Sequence, residues 1–159
     1  ISLDPREYIS EPTYSGWMKR GLPRVGDILF TTEAPMGNAA VVRLEEKFGL
    51  AQRVINFRPF GDLNTDFLTL QLLSEPFQLI LDETATGLTA KGIKAAKLKR
   101  LPIAVPPLAE QHRIVVKVRE LMALCDKLEA SIVSSASTSE QFLVATLAEA
   151  LQIEPALAS

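Results

Sequence analysis

From Leu108 to Glu154 the chain contains neither proline nor glycine, and this uninterrupted stretch constrains the fold more than any other feature. Within it Ile114, Val118, Leu121, Cys125, Leu128 and Ile132 recur at intervals of 4, 3, 4, 3 and 4 residues. That alternation is the a/d seam of a coiled coil, sustained for almost three heptads. A helix of about 45 residues rising 1.5 Å per residue makes a rod on the order of 65 Å long. Such a rod does not fold back into a small domain, so its apolar stripe requires a partner helix. Ser134 to Ser139 (SSASTS) is the weak point, because serines take the next seam positions and their helix propensity is modest. The helix either continues loosely packed or divides in two, with Phe142, Leu143, Leu147 and Leu151 as a second stripe.

Pro106-Pro107 sets this segment apart from a different kind of sequence upstream. Asp27–Thr32, Asn38–Leu44 and Arg53–Arg58 are short, β-branched or alternating runs, separated by Gly26, Pro35-Met36-Gly37 and Gly49, and they predict strands. Leu101–Val105 predicts a last edge strand containing Pro102. Two helices separate these strands. One is capped by Asn64 or Thr65 with Phe67, Leu68, Leu70 and Leu72 inward. The other starts at Ser74-Glu75-Pro76 with Phe77, Ile80 and Leu81 inward. The expected fold is α+β: a small mixed or antiparallel-sheet domain over residues 1–106, a long coiled-coil helix over 107–152 and a tail over 153–159.

The chain has 159 residues, 47% apolar and 23% charged, which suits a globular domain with an appendage. It lacks an apolar run of the roughly 18 residues that a membrane span needs, and Ile1 to Tyr8 carries Asp4, Arg6 and Glu7 in place of an apolar leader. With Cys125 as the single cysteine, an internal disulfide or a cysteine-rich zinc site is excluded, and a soluble cytoplasmic protein is expected. A net charge of −2 argues against coating nucleic acid by bulk positive charge, yet the charge is segregated. Lys91, Lys94, Lys97, Lys99 and Arg100 follow Thr84 with no acidic residue among them, whereas four basic and seven acidic residues follow Pro107. A phosphate-contacting surface therefore belongs to the first two thirds.

The segment Leu101–Glu129 resembles the conserved region of the specificity subunits of type I restriction–modification systems. Pro106-Pro107-Leu108, Glu110-Gln111-His112-Arg113-Ile114 and Leu121 through Glu129 stand there in the family's order. Gly26 through Glu33 with Gly37 is similar to the first hairpin of the family's target recognition domains. Gln52-Arg53-Val54 with Arg58-Pro59 is similar to the strand that follows it. Thr86-Gly87-Leu88 with Lys91-Gly92-Ile93 is similar to the loop before the conserved region. The likeness runs from about Trp17 to Leu147 and is to the C-terminal half of such a subunit, whether as a fragment or as a natural half-subunit that dimerises. It implies sequence-specific recognition of double-stranded DNA, one domain reading half of a bipartite site. It further implies a helix that packs antiparallel against the second conserved helix of the same subunit or a homodimer partner. Modification (methyltransferase) subunits dock on that scaffold and restriction subunits join the complex. No cofactor is implied for this chain; S-adenosylmethionine, ATP and Mg belong to those partners.

On this reading Lys91, Lys94, Lys97 and Lys99 are phosphate candidates, against the plainer alternative of a solvated basic face. Lys19 and Arg20, beside Tyr14 and Trp17, form a second basic–aromatic cluster, unless Trp17 is simply core. Thr31, Thr32, Glu33 and Asn38 of the first hairpin, with Thr86 and Thr89 of the glycine loop, supply donors and acceptors for bases. His112 lacks a nucleophile beside it, Cys125 is expected to pack on the seam shielded from reagents, and Glu45-Glu46 and Asp82-Glu83 do not converge as metal ligands. Neither GxxxxGK[ST] nor the Asn-Pro-Pro-aromatic motif of adenine methyltransferases occurs. A non-catalytic subunit is expected. A coiled-coil module whose head binds protein, or the recognition domain of a fused methyltransferase–nuclease, stay open as alternatives.

Overall fold

A computed structural model describes residues 7–19, 21–87 and 91–153. They form two compact units, one ending at Val115 and the other starting at Val116. The first holds a three-stranded sheet: β1 (Ile28–Thr31), β2 (Ala39–Val41) and β3 (Val54–Phe57), in the order β2-β1-β3 and antiparallel throughout. Helix α1 (Glu11–Trp17) precedes the sheet; α2 (Thr65–Leu73), α3 (Glu75–Thr84) and a single-turn α4 (Ala95–Leu98) follow it. Helix α5 (Leu108–Ile153) contributes its first turns to this unit and is the body of the second. The α+β reading holds.

Alternation along β1 sends Ile28 and Phe30 to one face and leaves Leu29 and Thr31 half-buried on the other. Ile28 and Phe30 are fully buried among Leu68 and Leu72 of α2, Phe77 and Leu81 of α3, Ile93 and Leu98. Phe30 meets Phe77 edge-on at 6.5 Å and Phe57 at 5.9 Å between ring centroids, a favourable quadrupole arrangement for three aromatic rings. Asn64 caps α2 as expected, its Oδ1 accepting from the Phe67 amide at 2.9 Å. Ser74 ends α2 and begins α3, but its hydroxyl donates to the Gln71 carbonyl instead of capping the second helix.

Two expectations need correction. Leu101–Val105 forms no strand: Pro102 and Pro106 lack N–H donors, and only Leu101 packs against the core. Trp17 is about half exposed instead of core, its Nε1 donating to the Leu50 carbonyl at 2.7 Å. Helices α1 and α4, which the sequence does not announce, are too short for a periodicity to register. Cys125 lies exposed on the seam of the single chain. The open question at Ser134–Ser139 resolves as one continuous helix, with the Thr138 hydroxyl donating back to the Ser134 carbonyl.

Two buried polar groups organise the first unit. Asp27, 3% exposed, accepts from both Nε and Nη2 of Arg58 at 2.8 and 2.7 Å, from Asn56 Nδ2 and from the Arg24 amide. Gln111, 1% exposed, lies in the first turns of α5. Its Oε1 accepts from the Asn64 amide at 2.9 Å, and its Nε2 donates to the carbonyls of Pro106 at 2.8 Å and Asp62 at 3.4 Å.

Each predicts a measurable cost. The hydrogen bonds from Arg58 hold the Asp27 carboxyl at about 2, below its usual 3.8, outweighing the desolvation that would raise it. The folded state therefore binds this proton more weakly than the unfolded chain does. That difference contributes roughly 2 kcal/mol above about pH 4, lost progressively as pH falls toward 2. Asp27→Asn should narrow its stability gap to the parent protein between pH 6 and pH 2.5 in urea unfolding; a constant gap would count against the linkage. Gln111→Leu strands the Asn64 amide and the Pro106 carbonyl and should lower unfolding stability by about 2–4 kcal/mol. His112→Leu at the exposed neighbouring position should stay within about 0.5 kcal/mol, and equal effects of the two changes would sink the assignment.

Candidate nucleic-acid interface

Backbone pairing at the end of β1 gathers several of the candidate residues. Thr32 continues beyond β1: its N–H donates to the Arg53 carbonyl at 2.8 Å, and its own carbonyl accepts from the Ile93 amide at 3.0 Å. Thr86 and Gly92 exchange backbone hydrogen bonds at 3.0 and 3.1 Å, closing a small loop, and Gly92 also bridges to Glu33. Thr31, Thr32, Glu33 and Asn38 are thereby joined to the segment that carries Thr86 and Lys91. Thr89 lies outside the described residues.

Their hydroxyls are not equally available. Thr31 Oγ1 accepts from the Asn38 amide at 3.0 Å, and Thr32 Oγ1 donates to the Arg53 carbonyl at 3.0 Å. The first bond closes the turn through residues 34–37, and the second ties the end of β1 to the residue before β3. That turn is also tied to α3 by Gln78, whose Nε2 donates to the Gly37 carbonyl at 2.9 Å. Gly37 has φ +90°, and a Cβ there would run into the Gln78 and Leu81 side chains, so only glycine fits. Glu33 faces Arg53, with an N···O separation of 3.4 Å.

The lysines divide as well. Lys91 pairs with Asp82 of α3 at 2.7 Å, and Lys97 Nζ donates to the Thr84 carbonyl at 3.2 Å. Lys94, Lys99 and Arg100 are exposed and show no ion pair among the described residues. Around α4, Ile93 and Leu98 are buried, which turns these basic residues outward as one cluster. Lys19 sits apart, in the turn after α1, and Arg20 lies outside the described residues. Near it Trp17 and Met18 contact Leu50, while Lys47 lies 5.9 Å over the Tyr14 ring and pairs with Glu11. Between this loop and the outer face of the sheet lies an apolar cavity of about 290 Å³, lined by Leu29, Ala40, Phe48, Leu50 and Val54.

Arg53 is the residue that the sequence reading passed over. In the sequence it is the polar start of an alternating run and part of the Gln52-Arg53-Val54 resemblance, with no contact role assigned; its position beside Glu33 and Thr32 depends on how β3 registers against β1. Among the described residues no group of three or more His, Cys, Asp or Glu is placed to hold a metal ion, and no helix is long and apolar enough to cross a membrane.

In the second unit the seam is open. Leu121, Leu128 and Ile132 are 50%, 56% and 70% exposed, and Phe142, Leu143, Leu147 and Leu151 are exposed as well. Val118 is half-buried, as is Ile114 at the end of the first unit.

The family model of the type I restriction modification DNA specificity domain matches residues 19–135. The chain is 33% identical over 102 residues to the type I restriction enzyme EcoAI specificity subunit of Escherichia coli, covering 61% of this chain and 17% of that protein. It is 27% identical over 137 residues to the EcoBI specificity subunit of the same organism, covering 86% of this chain and 29% of that protein. The chain thus spans less than a third of the length of these relatives. A match running from the turn after α1, across the sheet and the helices packed on it, into the seam of α5 covers most of the chain. The protein belongs to the type I restriction–modification DNA specificity domain family.

Proposed function

We propose that the chain is the part of a type I specificity subunit that reads one half of a bipartite double-stranded DNA site, and that it performs no catalysis itself. The observation that carries this reading is the family match, which takes in both the sheet end that gathers polar side chains and the apolar seam of α5. The cluster of Lys94, Lys99 and Arg100 supplies phosphate contacts, and the end of β1 faces the bases. The seam pairs with a second helix of the same kind, from the same subunit or a second copy, and this pair fixes the distance between two reading heads. Modification subunits dock on that scaffold and bring the restriction subunits with them. S-adenosylmethionine, ATP and Mg act there, and the assembly works in the cytoplasm.

Charge along α5 supports an antiparallel partner. Up to Leu128 it carries Arg113, Lys117, Arg119 and Lys127 against Glu110, Glu120 and Asp126, whereas Glu129, Glu140 and Glu149 follow with no basic residue among them. Antiparallel pairing sets the acidic half of one helix beside the half that holds all the basic residues of the other and also opposes the two macrodipoles.

Two measurements test the reading. With three phosphate contacts, affinity for duplex DNA should fall roughly 40-fold between 50 and 200 mM salt, and Lys94→Ala with Lys99→Ala should reduce the logarithmic salt slope by about two. An affinity indifferent to salt would argue for a protein-binding head. Leu128→Asp, or Leu121→Asp, places an unpaired carboxylate in the seam and should weaken helix pairing by about 3–5 kcal/mol, read by sedimentation and thermal unfolding. An unchanged oligomeric state and midpoint would show that the seam is not an interface.

A further inference from the structure

Most of the arginines around the sheet have tasks that keep them from DNA. Arg58 is bidentate to buried Asp27 and also donates to the Leu22 carbonyl, and Arg43 pairs with Asp66. Arg53 differs: its ion pair with Glu33 is long, 3.4 Å against 2.5 Å for Arg43–Asp66 and 2.7 Å for Arg58–Asp27, and its side chain is 59% exposed. At 3.4 Å one carboxylate oxygen faces one edge of the guanidinium, and among the described residues the other N–H donors of the fork have no acceptor.

We propose that Arg53 reads guanine in the DNA half-site and that Glu33 is its positioning residue. This rests on the reading of the chain as a DNA-specificity unit and names the side chains that carry part of the specificity.

Three observations support it. First, both residues are held by backbone. The Arg53 carbonyl accepts from the Thr32 amide and the Thr32 hydroxyl together, and Glu33 is bridged to Gly92. A Cβ on Gly92 would lie 3.2 Å from the Thr32 carbonyl oxygen and 3.3 Å from Glu33 Cγ, so the loop approaches Glu33 as closely as glycine allows. A side chain presented this way loses less freedom on binding than one carried by a loose loop.

Second, the neighbouring carboxylate selects between the two ligands that DNA offers an arginine. A phosphate arriving at Arg53 would bring its negative charge against Glu33, whereas the major-groove edge of guanine is neutral and presents the O6 and N7 acceptors that a guanidinium fork meets in pairs. Third, the free acceptor capacity of Glu33 suits the N4 donor of the cytosine paired with that guanine. Among the described residues Lys94 and Lys99 have no carboxylate paired with them, and they act as point charges on phosphates.

The test uses the subunit assembled with its modification subunits and a random duplex pool, comparing the parent protein with Arg53→Ala, Arg53→Lys and Glu33→Gln. The parent complex should enrich a guanine at one position of the half-site. Both Arg53 variants should lower the preference for guanine there by roughly 10- to 100-fold while the other positions and the salt slope stay as they were. Arg53→Lys retains the charge beside Glu33 and decides the matter if the alanine variant folds poorly. Glu33→Gln should weaken the same position several-fold with Arg53 intact. A uniform loss across all duplexes, with the salt slope reduced by about one, would identify a phosphate contact and overturn the proposal. An unchanged selection in the Arg53 variants would overturn it too. A parent complex that enriches no sequence would overturn both this proposal and the broader reading.

Discussion

The side-chain amide of Gln111 is the joint on which the first unit depends. Apolar burial is non-directional: Val115 buried one turn later would tolerate many orientations of the helix start. Hydrogen bonds do not. A single amide that accepts from Asn64 and donates to Pro106 and Asp62 ties the start of α5 to the residue that caps α2. Asn64 serves twice, its side chain closing α2 onto the Phe67 amide while its own amide is closed by Gln111. The first turns of α5 are therefore rooted in the hydrogen-bond network of the unit that presents the sheet.

What was legible in the sequence followed from long-range periodicity or from caps. The 4-3-4 spacing from Ile114 to Ile132 and the absence of helix breakers were enough to specify α5, and Asn64 and Ser74 located the helices packed on the sheet. Short elements carry no comparable signal. Helix α4 has a single turn, and α1, with Gly16 inside it, exposes nearly all its residues and so has no apolar stripe to detect. Leu101–Val105 has a strand's composition, but Pro102 within it and Pro106 after it remove donors that a ladder needs, a constraint of pairing and not of hydropathy. Serines between Ser134 and Ser139 failed to break the helix, since their modest propensity costs little per residue against the cooperativity of helix on both sides.

The candidate interface was legible only as a neighbourhood. Residue type suggested that Thr31 and Thr32 could meet bases, yet a hydroxyl beside a tight turn is as readily taken by the backbone, and both are. Arg53 and Arg58 look equivalent in the run RVINFR, five residues apart in the sequence. Arg58 is drawn onto buried Asp27, while Arg53 faces the half-exposed Glu33 across a longer gap. That difference originates in β1: Asp27 immediately precedes it and Glu33 lies just beyond its end, and antiparallel pairing with β3 sets the arginines against opposite ends.

The same pairing explains how a chain with net charge −2 carries a surface suited to an anionic ligand. Several of its acidic residues are kept away from the basic residues around α4. Asp27 is buried under Arg58, Asp82 is joined to Lys91, and Glu129, Glu140 and Glu149 lie far along α5 in the second unit. Basic residues around α4 are turned outward because Ile93 and Leu98 are buried. Phosphate attraction decays over about a Debye length, roughly 8 Å at physiological salt, so the local sign at α4 matters and the sum over the chain does not. Glu33 is an acidic residue kept at the sheet end, where a half-exposed carboxylate repels DNA unless it has a cation to orient. On the proposed reading its position beside Arg53 costs general DNA affinity, and the compensation is a gain in discrimination between neutral base edges and phosphates.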